Sequence, residues 1–239
     1  MLKALFLDMD ETLCDTTGAN LKALTLFEKR AAGQYPAPFN AKELAKDYLL
    51  GIYKNLSKEL SAKLLPITDE QDFRTDLLGY LYQKHQAPDQ PSQAELHDMR
   101  RFFDEARLRF FDFFPGVELL LHELRKKYCL VVITNGPIYS QHPKAARVKL
   151  TEHVDHVIVG GEEPEEKPAI SIFQKACQLA KCQAHEALHF GDSLTADIQG
   201  AANAGIDSVW INQNGESCQE TPHNIPYFSQ AQKILELYS

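Results

Sequence analysis

The chain has 239 residues, 44% of them hydrophobic and 24% charged, and a formal net charge of −8. That length suffices for one large domain, or for a core with a smaller insert. The acidic balance argues against a general nucleic-acid binder, which needs a basic footprint for the phosphate backbone, but not against a small phosphorylated ligand.

Residues 2–7 form an apolar run broken only by Lys3, and it ends in Asp8, Asp10, Glu11 and Asp15. A run of this kind predicts a strand buried on both faces of a parallel sheet. Acids crowded at its carboxyl end repel one another by roughly 4 kcal/mol per close pair at intermediate dielectric, so a cation or a chemical role is expected there. From Gly18 to Met99 the pattern is helical: Leu44, Tyr48, Leu49, Ile52, Leu56 and Leu60 share one spacing, and Leu96, Met99, Phe103, Ala106 and Phe110 another. Stretches 33–40 and 87–92 read as loops between those helices. The phenylalanines between 102 and 114 are read as core and hinge packing rather than as a ligand box. The sequence therefore predicts a helical block, 16–112, inserted into a core made of 1–15 and 113–239.

After Pro115 and Gly116, helices and short apolar runs alternate. Helices are predicted over 117–127, 143–151, 168–180 and 195–203, and strands over 129–134, 156–159, 187–190 and 208–211. Gly205 stands where a helix takes its left-handed cap. Such alternation implies right-handed βαβ units, hence an α/β fold with a Rossmann-like parallel sheet. Four strand ends or following loops then carry polar groups: Asp8-Met9-Asp10-Glu11-Thr12, Thr134-Asn135-Gly136, Glu166-Lys167-Pro168, and Gly191-Asp192-Ser193-Leu194-Thr195-Ala196-Asp197. In open α/β sheets these ends face one crevice. Oxygen ligands without His or Cys suit Mg2+, and a hydroxyl, backbone amides and a lysine suit phosphoryl oxygens. Together they describe phosphoryl transfer with an aspartate as nucleophile.

Those four motifs, in that order along the whole chain, resemble the haloacid dehalogenase-like hydrolase superfamily, and the helical insert resembles its C1-type cap. The resemblance implies that Asp8 is the nucleophile and Asp10 the general acid and base. It gives Thr134, the Asn135 amide and Lys167 to the phosphoryl group. The metal falls to Asp8, the Asp10 carbonyl and Asp192, with Asp197 orienting metal waters or the lysine. Dehalogenases lack an acid at the position of Asp10, because a halide leaves without a proton; its presence, with Thr12 following, favours phosphatase chemistry. Segments 157–173 and 209–215, and the stretch 55–59, resemble the branch acting on N-acylneuraminate-type sugar-acid 9-phosphates. Nucleoside 5′-monophosphatases share the core motifs, and they or another small-metabolite phosphatase are the alternative. Pro137 and residues 140–143, at the rim of the expected site, depart from the sugar-acid pattern. Lys54, Lys58 and Arg74 are the candidate cap contacts for a substrate carboxylate, although all three also suit solvated helix faces.

Five cysteines (Cys14, Cys129, Cys177, Cys182 and Cys218), odd in number and without a CxxC pair, suit a reducing compartment. There is no HExxH, and His153 and His156 are placed at a helix end and a strand start, a poor zinc pair. With no apolar stretch near the ~18 residues of a membrane span and no leader pattern, the expectation is a cytoplasmic enzyme. Its partner would be a small phosphorylated metabolite, not nucleic acid or membrane, with the protein itself a monomer or a homodimer.

Overall fold

The computed structural model describes residues 1–213 and 223–238; Cys218 and the last two residues of the 209–215 segment lie outside the described residues. The chain divides into two compact units, Thr17–Phe110 and the pair of segments Met1–Thr16 and Phe111–Ser239.

The first unit is helical: α1 (Thr16–Ala32, whose first residue belongs to the other unit), α2 (Ala41–Ile52), α3 (Lys58–Leu64), α4 (Glu70–Lys84) and α5 (Gln93–Phe110). Side chains of Asn40, Ser57 and Asp69 accept from the first free backbone N–H groups of α2, α3 and α4, which starts each helix where the sequence supplies a short polar residue. The apolar faces close on a core that includes Phe27, Tyr48, Phe73, Tyr82 and Phe103, with Phe27 stacked on Tyr48 at 5.3 Å between ring centres.

The second unit is built on a parallel sheet: β1 (Ala4–Leu7), β2 (Cys129–Thr134), β3 (His156–Val159), β4 (Ala187–Gly191), β5 (Asp207–Ile211) and β6 (Asn224–Ile225). The strands stand in the order β3-β2-β1-β4-β5-β6, and all five pairings are parallel. All four residues of β1 are buried, as a strand with neighbours on both edges and helices over both faces must be. This is the Rossmann-like α/β sheet that the alternation predicts. Between the strands run α6 (Val117–Leu124), α7 (Ile138–Arg147), α8 (Leu150–His153), α9 (Ile170–Ala180) and α10 (Gly200–Asn203), and α11 (Ala231–Leu235) follows β6. Gly205 has φ +71, the left-handed cap its position implies.

Two helices differ from the sequence expectation. Helix α7 begins five residues before Pro143, which sits inside it. Proline is favoured at a first helical position, but here the helix starts directly after Pro137 and gives up the one hydrogen bond that Pro143 cannot make. The predicted helix 195–203 is split into a π-helical stretch, Leu194–Gln199, followed by α10. The Ser193 carbonyl accepts from both Asp197 N and Ile198 N, the widened turn that π-bulges make at functional sites.

Candidate active site

The carboxyl ends of β1, β2 and β4 and the loop after β3 converge as the strand-end rule requires. Asp8 follows β1 directly, and its backbone N–H donates to the Phe190 carbonyl of β4. The chain then turns sharply. Glu11 takes a left-handed φ of 58, and Leu13 and Cys14 both donate to the Met9 carbonyl, which presents Asp8 and Asp10 from one tight loop.

Lys167 lies between two carboxylates. Its Nζ is 2.6 Å from Asp8 Oδ1 and 2.6 Å from Asp197 Oδ1, with only 4% of the residue exposed. Asp197 also accepts from the backbone N–H of Ser193 and stands 2.9 Å from His189 Nε2. Gly191 makes room for it, since a Cβ at that residue would lie 2.2 Å from Asp197 Cγ. The backbone of Lys167 is held by a reciprocal pair with one side chain: Asn135 Nδ2 donates to the Lys167 carbonyl (2.7 Å) and Asn135 Oδ1 accepts from the Lys167 N–H (2.9 Å).

Carboxylate oxygens of Asp8, Asp192 and Asp197 lie within 4.8 Å of one another. Burial raises the pKa of Asp8 well above the ordinary carboxylate range, with Lys167 opposing and Asp197, Asp192 and Asp10 reinforcing the rise. Burial and the charge of Asp197 push Asp192 up to about 7. In Asp197 burial is outweighed by Lys167 and His189, and the acid is held strongly ionised. Lys167, despite burial, is raised by its two carboxylates. The site thus fixes Asp197 by pairing and leaves Asp8 and Asp192 in a crowding that a divalent cation would relieve. Oxygen-only donors of this kind fit Mg2+.

The second acid of the loop is held differently. Asp10 Oδ2 accepts from Gln141 Nε2 (2.9 Å), both its oxygens accept from Lys144 Nζ (2.9 Å each), and the Thr16 hydroxyl donates to Oδ1. Burial works to raise its pKa, but Lys144, Thr16 and Gln141 outweigh burial and lower it. Thr134, 1% exposed at the end of β2, accepts from Gln141 Nε2 at 2.6 Å.

A family model for haloacid dehalogenase-like hydrolases matches residues 2–205, which takes in all four motif loops. The chain belongs to the haloacid dehalogenase-like hydrolases. This hydrolase is 34% identical to the human N-acylneuraminate-9-phosphatase over 217 residues, which cover 90% of this chain and 84% of that protein. It is 30% identical to a pyrimidine 5′-nucleotidase of Streptococcus pneumoniae, over 99% of this chain and 91% of the other. A solved structure of the Bacillus subtilis HAD-hydrolase YfnB bound to magnesium shares its fold at a TM-score of 0.70 and 22% identity, covering 98% of this chain and 99% of that one.

The hydrolase's structure brings Asp8, Lys167, Asp192 and Asp197 together and joins Asp10 to Thr134 through Gln141. It puts the Asn135 side chain on the backbone of Lys167. In the helical unit, Arg74 is buried and paired with Glu70 and Asp104. Lys54 pairs with Glu70 at 2.8 Å and caps the ring of Phe73, whereas Lys58 is exposed at the start of α3. Arg74 is therefore occupied in a buried ion-pair network rather than presented as a carboxylate receptor. Thr16, Gln141, Lys144 and His189 escaped the sequence reading. The signals were a polar His in the otherwise apolar run of β4, and Gln and Lys three residues apart just after the Thr-Asn-Gly loop.

Proposed function

We propose that this hydrolase cleaves a phosphate monoester of a small metabolite, using Asp8 as nucleophile and Asp10 as proton donor and acceptor. The observation that carries this reading is the convergence of Asp8, Lys167, Asp192 and Asp197 at neighbouring strand ends, with Asp10 from the loop of Asp8 joined to Thr134 through Gln141. Asp10, ionised in the free site, takes up a proton when the phosphate ester enters; attack by Asp8 on phosphorus then breaks the bond to the leaving oxygen, which receives that proton, and leaves an aspartyl-phosphate. Asp10 then removes a proton from the water that attacks phosphorus and restores Asp8. Lys167 offsets charge on Asp8 and on the phosphoryl oxygens throughout. The Thr134 hydroxyl, whose oxygen already accepts from Gln141, keeps its own hydrogen for a phosphoryl oxygen. Asp8, Asp192 and the Asp10 carbonyl would hold a magnesium ion, which would supply further neutralisation of phosphoryl charge. Phosphate-monoester hydrolysis is slow enough to need up to ~10²¹-fold acceleration, so such electrostatic help must carry much of the work.

For the substrate we favour an N-acylneuraminate-type sugar-acid 9-phosphate, supported by likeness to the human N-acylneuraminate-9-phosphatase over 90% of the chain. Likeness to the pneumococcal nucleotidase over 99% of the chain favours nucleoside 5′-monophosphates as the second reading. A side-by-side assay with magnesium separates them. Turnover of nucleotides with none of acylneuraminate 9-phosphates overturns the first choice. No helix among the described residues is long and apolar enough to cross a membrane, and the free thiols of Cys14, Cys129, Cys177 and Cys182 suit work in the cytoplasm.

A further inference from the structure

We propose that Gln141 and Lys144 are a positioning pair that aims Asp10 at the leaving oxygen and Thr134 at the phosphoryl group. The proposal rests on the phosphatase reading above. The two residues lie three apart on α7 and so share a helix face. Lys144 Nζ reaches Asp10 Oδ1 and Oδ2 at 2.9 Å each and Gln141 Oε1 at 3.0 Å, which uses all three of its hydrogens. An ammonium can only donate, so the Gln141 atom facing it is the oxygen, and the orientation of the amide follows. Both amide hydrogens are then committed, one to Asp10 Oδ2 at 2.9 Å and one to Thr134 Oγ1 at 2.6 Å.

Gln141 is 2% exposed and the Lys144 side chain 12%, so water competes little for these bonds. Every side-chain donor on the pair has a protein acceptor: one Lys144 hydrogen goes to Gln141 itself and the others go to the proton shuttle and the phosphoryl-holding hydroxyl. Those two groups sit at the ends of adjacent strands, β1 and β2, and no bond joins them directly among the described residues. The pair sets their relative placement. Lys144 fixes the carboxylate from one side and Gln141 ties it to Thr134, so that displacement of either group is transmitted to the other. Misplacement of a catalytic group by about 1 Å can cost on the order of 10²-fold.

A merely structural pair and a positioning pair differ in how their loss depends on the leaving group. Protonation matters greatly for an alkoxide and little for a p-nitrophenolate, while kcat/KM reports the steps up to aspartyl-phosphate formation for both. Lys144→Met and Gln141→Leu are compared with wild type on p-nitrophenyl phosphate. The second substrate is whichever sugar or nucleotide monophosphate the wild type hydrolyses fastest. We expect kcat/KM on the alkyl ester to fall at least ~10-fold further than on the aryl ester, as befits partial loss of a general-acid contribution of ~10²–10⁴. Lys144→Arg, which keeps a cation and its donors, should recover most of that difference. Equal losses on both esters in the two variants overturn the proposal and leave the phosphatase reading standing. A wild-type enzyme that hydrolyses neither ester overturns that reading and the proposal with it. Because Gln141 is buried, melting curves accompany the kinetics; if Gln141→Leu is unfolded, the partly exposed Lys144 decides the outcome alone.

Discussion

Replacing Lys167 with methionine tests the electrostatic logic of the site without reference to substrate. In the wild type, two carboxylate oxygens each sit 2.6 Å from its Nζ. At an effective dielectric near 20 each contact is worth roughly 6 kcal/mol before desolvation. Much of that gross attraction offsets the cost of burying the ions, and deleting one partner of a buried network leaves a net penalty of about 3–5 kcal/mol, because the remaining charges are stranded. The penalty must depend on pH. The pairing holds the folded-state pKa of Asp197 below its unfolded value, so it contributes stability above the unfolded pKa of ~3.9 that is lost as pH falls through the folded one. In the variant, Asp8 and Asp197 lack their cation and their folded pKa values rise. Stability is then highest at low pH, where both are neutral, and declines as pH rises through those raised values. The gap between wild type and Lys167→Met should therefore be about 3–5 kcal/mol at pH 7.5 and markedly smaller near pH 5. The assay is urea unfolding in EDTA, followed by the fluorescence of Trp210, the chain's single tryptophan. It is buried in β5, with its Nε1 donating to the Asp192 carbonyl, so it reports on the catalytic unit. A variant as stable as wild type at pH 7.5, or a gap that does not change with pH, refutes the reasoning.

Other outcomes follow from the same geometry. Asp10→Asn should lower turnover of alkyl phosphates by ~10²–10⁴-fold; wild-type rates on such esters would remove Asp10 from its role. Since Asp8 is raised and Asp192 lies up at about 7, magnesium must displace protons below neutrality. Calorimetry in buffers of different ionisation enthalpy should find protons released per ion near pH 6, about one of them from Asp192, and fewer by pH 8.5; release that does not vary with pH contradicts this. Gly191→Ala drives a methyl into Asp197 at 2.2 Å, an overpacking expected to cost about 1–3 kcal/mol and to disturb the Asp197–Lys167 pair. Unchanged melting and activity would mean that the loop yields freely there.

Much of the site was legible because strand ends advertise themselves. A buried apolar run followed at once by Asp8 and Asp10, or by Thr134, has few structural explanations, and the α/β alternation brings such ends to one side of a sheet. The support of Asp10 was not legible, since it depends on where α7 begins. Starting the helix at Pro143 leaves Gln141 in a loop, and only the earlier start aligns it with Lys144. His189 stood in plain view in β4, where an imidazole needs a partner; the partner, Asp197, is supplied by a π-helical turn that no periodicity announces. In the helical unit, Glu70 and Arg74 were readable as an i,i+4 pair. That Asp104 of α5 completes the network on Arg74 is a tertiary fact, and it takes away the carboxylate contact that arginine chemistry had suggested.

The position of β1 in the sheet bears on how the enzyme is made. Ala4 pairs with Cys129 on one side and with Ala187 on the other, so β1 finds its neighbours only after more than a hundred further residues have been synthesised. The segment made in the interval has a core of its own. Contacts so distant along the chain favour slow assembly. The strand that leads into Asp8 is thus written well before its neighbours and is among the last secured, and the converging strand ends come together only when β4 arrives.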